Sequence, residues 1–454
     1  MRTRTIVWPA LALAAAVPAF GEAAPLKVKP PQLLVREHQL ANGLRVLLHE
    51  DHSVPVVSVQ VWYHVGSKNE RAGRSGFAHL FEHMMFKSTE NLATGEISDY
   101  VLSIGGRLNA TTDFDRTLYF EIIPSNHLER LLWMEADRMR SLDVTEEHFR
   151  SERNVVKEER RLRVDNPPFG RLFEVVLANT FTTHPYRILS IGSMTDLDAA
   201  TIEDVRAFHS TYYVPNNAKV VLAGDFDPAQ ALAWIEKYFG PIPRGKDIPR
   251  AVPQEPVQKA ERRVVEYDAN TPLPTVMLTY HVPEEGHPDI YALEVASQIL
   301  SDGQSSRLYR KMVYEQQIAL QAGGQALVLE DPGVFYFYAI LQQGHTAEEG
   351  EKSLAEEIAR LQSQPVSGGE LDKAKNQLIT GQVFGRQTVN DKASAIGHAD
   401  VILGDWHLVN QQVEKYQKVS AADVQAVARK YFHPENRTVV HMLPEAMRPN
   451  EVKR

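Results

Sequence analysis

Residues 79–83 of this 454-residue chain read His-Leu-Phe-Glu-His, which are the residue types that a hydrolytic metal site needs. On an α-helix, residues three and four positions apart share one face, so His79, Glu82 and His83 can point to one place. Two neutral imidazoles can hold a zinc ion, and a nearby carboxylate can take a proton from a zinc-activated water. This order of residues is that of the inverzincin motif. The pentapeptide therefore predicts a zinc site with Glu82 as the general base.

The residues around the pentapeptide favour a helix that presents these three side chains on its polar side. Its apolar positions follow the i, i+3, i+4, i+7, i+8 pattern and are Phe77, Leu80, Phe81, Met84 and Met85. The alternative, two ordinary polar histidines on a solvated helix face, predicts Lys, Glu and Gln rather than two His around one Glu. We therefore favour the metal site.

A catalytic zinc usually has three protein ligands, so a third ligand is expected elsewhere in the chain. Residues 145–165 read as one long helix, whose periodicity places Glu152 and Glu159 on an otherwise apolar face. The apolar positions of that face are Phe149, Val155, Val156 and Leu162. The same periodicity places Glu158 and Arg160 on the charged side. Buried carboxylates are usually paired or bound to a cation, so Glu152 and Glu159 are both candidates. The alternative is two glutamates at the rim of an exposed helix.

The segment 1–21 is predicted to form a secretory signal peptide, with cleavage somewhere in the range 19–24. Arg2 and Arg4 give it a basic start, an apolar run follows, and small residues precede the cleavage region. The segment is too short for a stable transmembrane helix, so we predict no membrane anchor. An exported chain without cysteine suits a bacterial periplasm or the cell exterior, and of the two we expect the periplasm.

Composition excludes several classes of protein. The absence of cysteine excludes a disulfide framework, a thiol nucleophile and Cys-ligated zinc. A formal net charge of −9 argues against general affinity for nucleic acid, and no nucleic-acid partner is predicted. The length is that of a protein with two or more domains.

An internal repeat gives the two halves of the chain one plan. Asp204-Val-Arg-Ala recurs as Asp423-Val-Gln-Ala, and Tyr, Pro, Asn and Val-Val follow both at the same spacing. Pro55 and Pro274, each before a strand-like run, differ in number by the same offset of 219. The repeat predicts an α+β fold of two homologous domains, each a mainly antiparallel sheet with helices packed on one face.

The predicted domains are 32–240 and 259–446, joined by a Pro-rich linker at 241–258. The offset of the repeat carries His79 and His83 onto Gln298 and Asp302, which are not a ligand pair for zinc. One zinc ion per chain, in the first domain, is therefore expected.

Taken together, these features resemble the pitrilysin/insulinase family of zinc peptidases, and most of all its short bacterial and mitochondrial-processing-peptidase-like branch. The resemblance covers nearly the whole mature chain. It rests on residues 79–83, on Glu-Arg-Asn-Val-Val-Lys-Glu-Glu at 152–159, and on Gly-Gly-Arg-Leu-Asn-Ala-Thr-Thr at 105–112. It implies that the chain is a zinc-dependent metalloendopeptidase acting on extended peptides or unfolded protein segments.

The same resemblance implies a role for each candidate residue. His79, His83 and Glu159 would bind the zinc ion. Glu82 would be the general base, and Glu152 would orient a ligand histidine from outside the ligand set. Cobalt or manganese could also occupy such a His2Glu site.

The strand at 105–112 implies a place for the substrate. Asn109, Ala110 and Thr111 would form an edge strand to which a peptide adds through main-chain hydrogen bonds. The alternative is that Asn109 and Thr111 only serve turn chemistry after Gly105-Gly106.

The chain departs from the family at the residues that hold the substrate carbonyl. Self-sufficient members carry an Arg and, seven residues later, a Tyr after a Ser-Ser-Arg-Leu-like helix. Here that helix is expected at 305–309, but Tyr314 and Gln321 take the two places. We therefore expect a zinc-less paralogous subunit that supplies the Arg/Tyr pair, in a heterodimer rather than a homodimer. Two alternatives remain: a non-catalytic structural or substrate-recognition subunit of the same fold, and a zinc hydrolase acting on something other than peptides.

Overall fold

The computed structural model describes residues 30–250 and 253–449. The predicted signal peptide lies outside these residues. Among the helices of the described part, none is both long and apolar enough to cross a membrane.

The described residues of the first half form six strands and eight α-helices. The strands are β1 (Arg36–Gln39), β2 (Arg45–Glu50), β3 (Val56–Tyr63), β4 (Arg107–Thr112), β5 (Thr117–Pro124) and β6 (Ala218–Gly224). The helices are α1 (Phe77–Met84), α2 (Glu96–Ser103), α3 (Leu128–Ser141), α4 (Glu146–Arg160), α5 (Leu172–Thr180), α6 (Met194–Ala199), α7 (Ile202–Tyr212) and α8 (Pro228–Phe239).

The second half contains five strands and six α-helices in the part of the chain that the structure describes. The strands are β7 (Arg262–Asp268), β8 (Thr275–His281), β9 (Ala319–Leu327), β10 (Val334–Leu341) and β11 (Arg437–Pro444). The helices are α9 (Asp289–Ser301), α10 (Ala347–Ser363), α11 (Gly368–Phe384), α12 (Val389–Val401), α13 (Gln412–Lys418) and α14 (Ala421–Tyr431).

Each half forms one sheet, and the predicted α+β fold is confirmed. The first sheet has the order β1-β2-β6-β3-β5-β4, and the second has the order β7-β11-β8-β10-β9. Neighbouring strands are antiparallel except β2 with β6 and β7 with β11. Strand β4 is therefore an edge of the first sheet and pairs only with β5.

The two halves repeat each other element by element. Helices α7 and α14 begin after Thr201 and Ser420, which the offset of the repeat relates, and each of these hydroxyls accepts an N–H bond from the aspartate three positions later. Strands β3 and β8 begin at positions related by the same offset. The same local signals thus produce the same elements in both copies.

Each half also contributes one helix to the other half's sheet. Helix α5 of the first half packs on β7, β8 and β11, and α12 of the second half packs on β2, β3 and β6. These two helices occupy equivalent positions in the repeat, since the offset carries the whole of α5 into α12. Helices were expected on one face of each sheet, and this exchange also covers the other face. Consequently, buried apolar clusters contain residues from both halves; one of them contains Trp62 of β3 and Ile396 of α12.

The Pro-rich segment between the halves is held against the first half. Its described residues, from 241 to 258 without 251–252, form neither helix nor strand. The Glu255 carboxylate accepts N–H bonds from Thr182, Thr183 and His184 at 2.7, 2.9 and 3.0 Å. The segment is therefore anchored near its end rather than loose.

Candidate active site

Helix α1 presents the pentapeptide as its periodicity predicts. Its apolar side, which includes Phe77, Leu80 and Phe81, is buried in the core of the first half. The side chains of His79 and His83 remain 12 % and 21 % exposed on the other side. Both rings can therefore reach a ligand that enters from the solvent.

Helix α4 supplies two carboxylates, although it differs from the predicted helix at its end. Thr145 caps it by accepting the His148 N–H, but the α-helix ends at Arg160 and residues 161–165 form a π-helical turn. Such turns often lie at functional sites. The predicted apolar face is wrong at Val155 and Leu162, which are exposed, and the prediction for Arg160 is wrong because this residue is buried.

The structure brings His79, His83 and Glu159 together. Glu159 Oε2 lies 3.6 Å from His79 Nε2 and 3.2 Å from His83 Nε2. One ligand atom from each residue lies within 4.8 Å of the others. In a tetrahedral zinc site with bonds near 2.1 Å, ligand atoms are about 3.4 Å apart, so this donor set fits zinc. Among the described residues, this is the one such group of three.

Three further side chains hold these donors in place. Glu152 is only 7 % exposed, and its Oε2 lies 3.4 Å from Nδ1 of His83, which leaves Nε2 of that ring free to face the cluster. Lys87 binds the other Glu152 oxygen at 2.6 Å, and Arg163 binds Oε1 of Glu159 at 2.7 Å. Periodicity selected Glu152, but it gave no sign of Lys87 or Arg163.

The electrostatics of the cluster suit a divalent cation. Burial lowers the pKa of His79 to about 4, against the opposing effect of Glu159. Burial also acts to lower the pKa of His83, but hydrogen bonds with Glu152 and Glu159 outweigh it and raise the pKa to about 9. The hydrogen bond from His83 lowers the pKa of Glu159. Because an imidazole must be neutral to bind a metal ion, an ion bound here would replace the proton that these carboxylates favour on His83.

Glu82 lies beside the cluster in a setting that suits a base. Burial raises the pKa of its carboxyl group, while the Thr112 hydroxyl, which donates to Oε2 at 2.5 Å, acts in the opposite direction. A carboxylate with a raised pKa accepts protons more readily near neutral pH. Thr112 is the last residue of the stretch 105–112 on which the resemblance rests, but no role was predicted for it.

The cluster opens into a cleft of about 630 Å³. Edge strand β4 forms one wall, with the side chains of Asn109 and Thr111 exposed and that of Ala110 buried. Phe86, Val164, Leu189 and Ile191 give other parts of the cleft an apolar character. An extended peptide laid along β4 would therefore pass the two histidines.

The positions expected for the Arg/Tyr pair are solvent-exposed in the second half. Tyr314 is 74 % exposed in a π-helical turn at Tyr309–Glu315, and Gln321 is exposed on edge strand β9. The predicted helix at 305–309 is wrong in part, because only its last three residues are helical. Among the described residues that line the cleft, Arg163 is the only arginine or lysine.

Comparisons with known proteins place the chain in a family. The model of the insulinase family, peptidase family M16, matches residues 45–191, and the model described as the peptidase M16 inactive domain matches residues 199–378. Zinc protease PqqE of Helicobacter pylori is 34% identical over 89% of this chain and 92% of its own length. The chain therefore belongs to peptidase family M16, as the resemblance predicted.

Solved structures agree with this assignment. The crystal structure of a protease from Helicobacter pylori matches with a TM-score of 0.88 and 33% identity, over 91% of this chain and 100% of that one. The peptidase M16 inactive domain from Pseudomonas fluorescens matches with a TM-score of 0.80 over 91% of this chain and 98% of that one. Because its identity is only 19%, it supports the fold alone.

Proposed function

We propose that this chain is a zinc metalloendopeptidase that hydrolyses extended peptides or unfolded protein segments. One observation carries the proposal: Nε2 of His79, Nε2 of His83 and Oε2 of Glu159 converge beside the Glu82 carboxylate in an open cleft. The name of the relative PqqE, a zinc protease, supports the same chemistry.

In this proposal, His79, His83 and Glu159 hold the zinc ion. When bound, zinc polarises water and carbonyl oxygens and lowers the pKa of water towards neutrality. Glu82 takes a proton from the attacking water as the new C–O bond forms. It then gives that proton to the departing amine nitrogen as the C–N bond breaks.

The peptide is held by β4 in an extended form. Asn109 and Thr111 face the cleft, and an added strand would bond to the free backbone groups of Ala110 and its neighbours independently of sequence. A strand held in this way places its carbonyl groups next to the cluster. This favours peptides and unfolded segments over compact proteins and over substrates that are not peptides.

We also propose that a second subunit completes the site. Tyr314 stands where the Arg is expected, and Gln321 stands where the Tyr is expected. Arg163, the arginine that lines the cleft, is already bound to Glu159. A zinc-less paralogue would supply the Arg/Tyr pair that stabilises the developing oxyanion. The periplasm is the proposed location, on the basis of the sequence features of residues 1–21.

The first experiment measures cleavage of an unstructured protein such as casein, and of fluorogenic peptides, with and without a zinc chelator. We expect chelator-sensitive cleavage, restored by added zinc and abolished in Glu82→Gln. If the zinc-loaded chain cleaves nothing, either alone or mixed with a paralogue, the result would instead support the alternative of a non-catalytic structural or substrate-recognition subunit.

The second experiment compares the isolated chain with a mixture of the chain and a zinc-less paralogue from the same organism. We expect turnover to rise at least tenfold in the mixture. Full activity of the isolated chain would contradict the heterodimer but not the peptidase.

A further inference from the structure

Helix α1, which carries two of the three proposed zinc ligands, has no side-chain cap of its own. Helix α1 contains only eight residues, and its N-cap is Gly76, which has a φ of +88° and no side chain to accept a hydrogen bond. The first backbone N–H groups of a helix have no partner within the helix. Something outside α1 must therefore bind them.

Glu70 binds these groups from six positions upstream. Its Oε2 accepts the N–H of Gly76 at 2.9 Å, and its Oε1 accepts the N–H of Ala78 at 2.7 Å. Both oxygens are thus committed to the first turn of α1. Ala78 directly precedes His79, so this contact lies one peptide unit from the first proposed ligand.

The segment that carries Glu70 is itself fixed. Residues 67–69 form a 3-10 turn, and the N–H of Glu70 bonds to the carbonyl of Ser67 at 3.2 Å. The N–H groups of Ser67 and Lys68 bond to the carbonyls of Asp113 and Phe114, at 3.1 and 2.9 Å. The turn is therefore attached to the connection between β4 and β5.

Lys68 attaches the same turn to the second half of the chain. Its ammonium group lies 2.6 Å from Glu330 and 3.2 Å from Asp331, which follow β9, and 2.9 Å from Asp115 of the first half. The Lys68 side chain is only 7 % exposed. Glu330 also donates its N–H to Asp115 at 3.0 Å. The turn thus lies between the second half and α1.

We propose that Glu70 is a positioning residue that fixes the first turn of α1 and thereby the convergence of His79 and His83 on Glu159. Through Lys68, the turn that carries Glu70 depends on the seating of Glu330 and Asp331 from the second half. The inference rests on the proposed function, because its readout is the zinc site.

The cap works through geometry, since the two carboxyl oxygens match two N–H groups. Burial raises the pKa of Glu70 to about 8, and the N–H groups of Ala78 and Gly76 act in the opposite direction. Metal sites need their ligands held to within about 0.5 Å, and a helix of two turns has little internal rigidity to achieve this alone. A loose first turn would move His79 more than His83, which lies four positions further on.

The test compares Glu70→Gln with wild type in the full chain. The amide keeps the shape of the side chain but places an NH2 group against one backbone N–H. We expect zinc affinity, measured by competition with a chromogenic chelator, to fall about 10- to 100-fold. We also expect the visible absorption of the cobalt-loaded protein to change, kcat to fall more than KM rises, and Glu70→Asp to recover part of the loss.

Three further variants make the test specific. Glu90→Gln, at a side chain that is 74 % exposed, is the control and should leave zinc affinity and the cobalt spectrum unchanged. Lys68→Met should lower zinc affinity by less than Glu70→Gln. In the double variant Lys68→Met/Glu70→Gln, the loss of binding free energy should be smaller than the sum of the two single losses, because both residues act through one turn. If Glu70→Gln does not fold, the zinc affinity of Lys68→Met alone tests the inference, and an affinity equal to that of the wild type would overturn it.

The outcomes separate this inference from the proposed function. Glu70→Gln could keep the zinc affinity and the cobalt spectrum of the wild type, even with lower thermal stability. That result would mean that Glu70 is merely structural and would overturn the inference. Zinc binding and peptidase activity in the wild type would then still stand. A wild-type chain that binds no zinc would overturn both.

Discussion

The Thr112 hydroxyl donates a 2.5 Å hydrogen bond to the carboxylate of Glu82. Thr112 is the last residue of edge strand β4, and Glu82 lies on α1. The proposed general base is therefore tied to the strand that we expect to hold the substrate. This bond fixes one Glu82 oxygen, so the other can serve the reacting water.

Replacement of Thr112 by Val should slow turnover while zinc binding is kept. Val matches the shape of Thr but cannot donate, and a hydrogen bond to a charged group is worth about 1.5 to 3 kcal/mol, which corresponds to roughly 10- to 100-fold in rate. We expect kcat to fall in that range with KM nearly constant, in steady-state assays of the active preparation. Thr112→Ser should restore most of the rate; a Ser variant as slow as Val would argue against the hydroxyl.

Replacement of Glu152 by Gln should weaken zinc binding. Glu152 faces Nδ1 of His83, and loss of its charge removes the group that orients the ring and raises its basicity. We expect a loss of zinc affinity of about 10- to 100-fold in chelator competition. Glu158→Gln is the matched control, since Glu158 lies on the same helix with a side chain 66 % exposed. Equal zinc affinity in the two variants would remove Glu152 from this role.

The site was predictable where a local pattern determines the geometry. The spacing of His79, Glu82 and His83 is enough to place them together on a helix, and periodicity separates Glu159 from Glu158. The face of α4 was wrong at Leu162 because the α-helix gives way to a π-helical turn after Arg160. The contact between Thr112 and Glu82 depends on how strand β4 packs against helix α1, and hydrophobic periodicity does not encode that packing.

Replacement of Gly397 by Ala should destabilise the protein. A Cβ atom on Gly397 would overlap the indole ring of Trp62, where α12 of the second half meets β3 of the first. We expect a loss of about 1 to 3 kcal/mol in the free energy of unfolding, measured in denaturant. Gly381→Ala on α11 is the control, because no atom lies within 4 Å of its added Cβ and Ala favours the helix. Similar stability of both variants would contradict the close packing of the exchanged helix.

For the fold, as for the site, local features could be predicted from the sequence and long-range packing could not. The offset of the repeat correctly placed α7 with α14 and β3 with β8, because caps and strand patterns are local. The exchange of α5 and α12 could not be predicted in this way. A helix shows which of its faces is apolar, but not which of two similar sheets will cover that face.

The anchoring of Glu255 should make stability depend on pH. Burial acts to raise the pKa of Glu255, but the Thr182 hydroxyl and the N–H groups of His184 and Thr183 lower it to about 2, below its usual 4.5. A lowered folded-state pKa stabilises the protein above pH 4.5, and this contribution is lost as pH falls from 4.5 towards 2. Because the group is still partly exposed to solvent, which screens its interactions, we expect a contribution of only about 1 kcal/mol.

Glu255→Gln tests this dependence. The variant should be less stable than wild type at neutral pH, and the difference in free energy of unfolding should shrink as pH falls through that window. A difference that stays constant to the acid end of the window would show that the carboxylate charge does not contribute.

The most direct test of the proposed zinc site is the zinc content of four proteins after dialysis, determined by mass spectrometry of the metal. We expect one zinc ion per chain in wild type and in Glu82→Gln, because Glu82 is a base and not a ligand. His79→Ala and Glu159→Ala should each retain much less than one, since each removes a ligand. Stoichiometric zinc in Glu159→Ala, or no zinc in the wild type, would contradict the site described here.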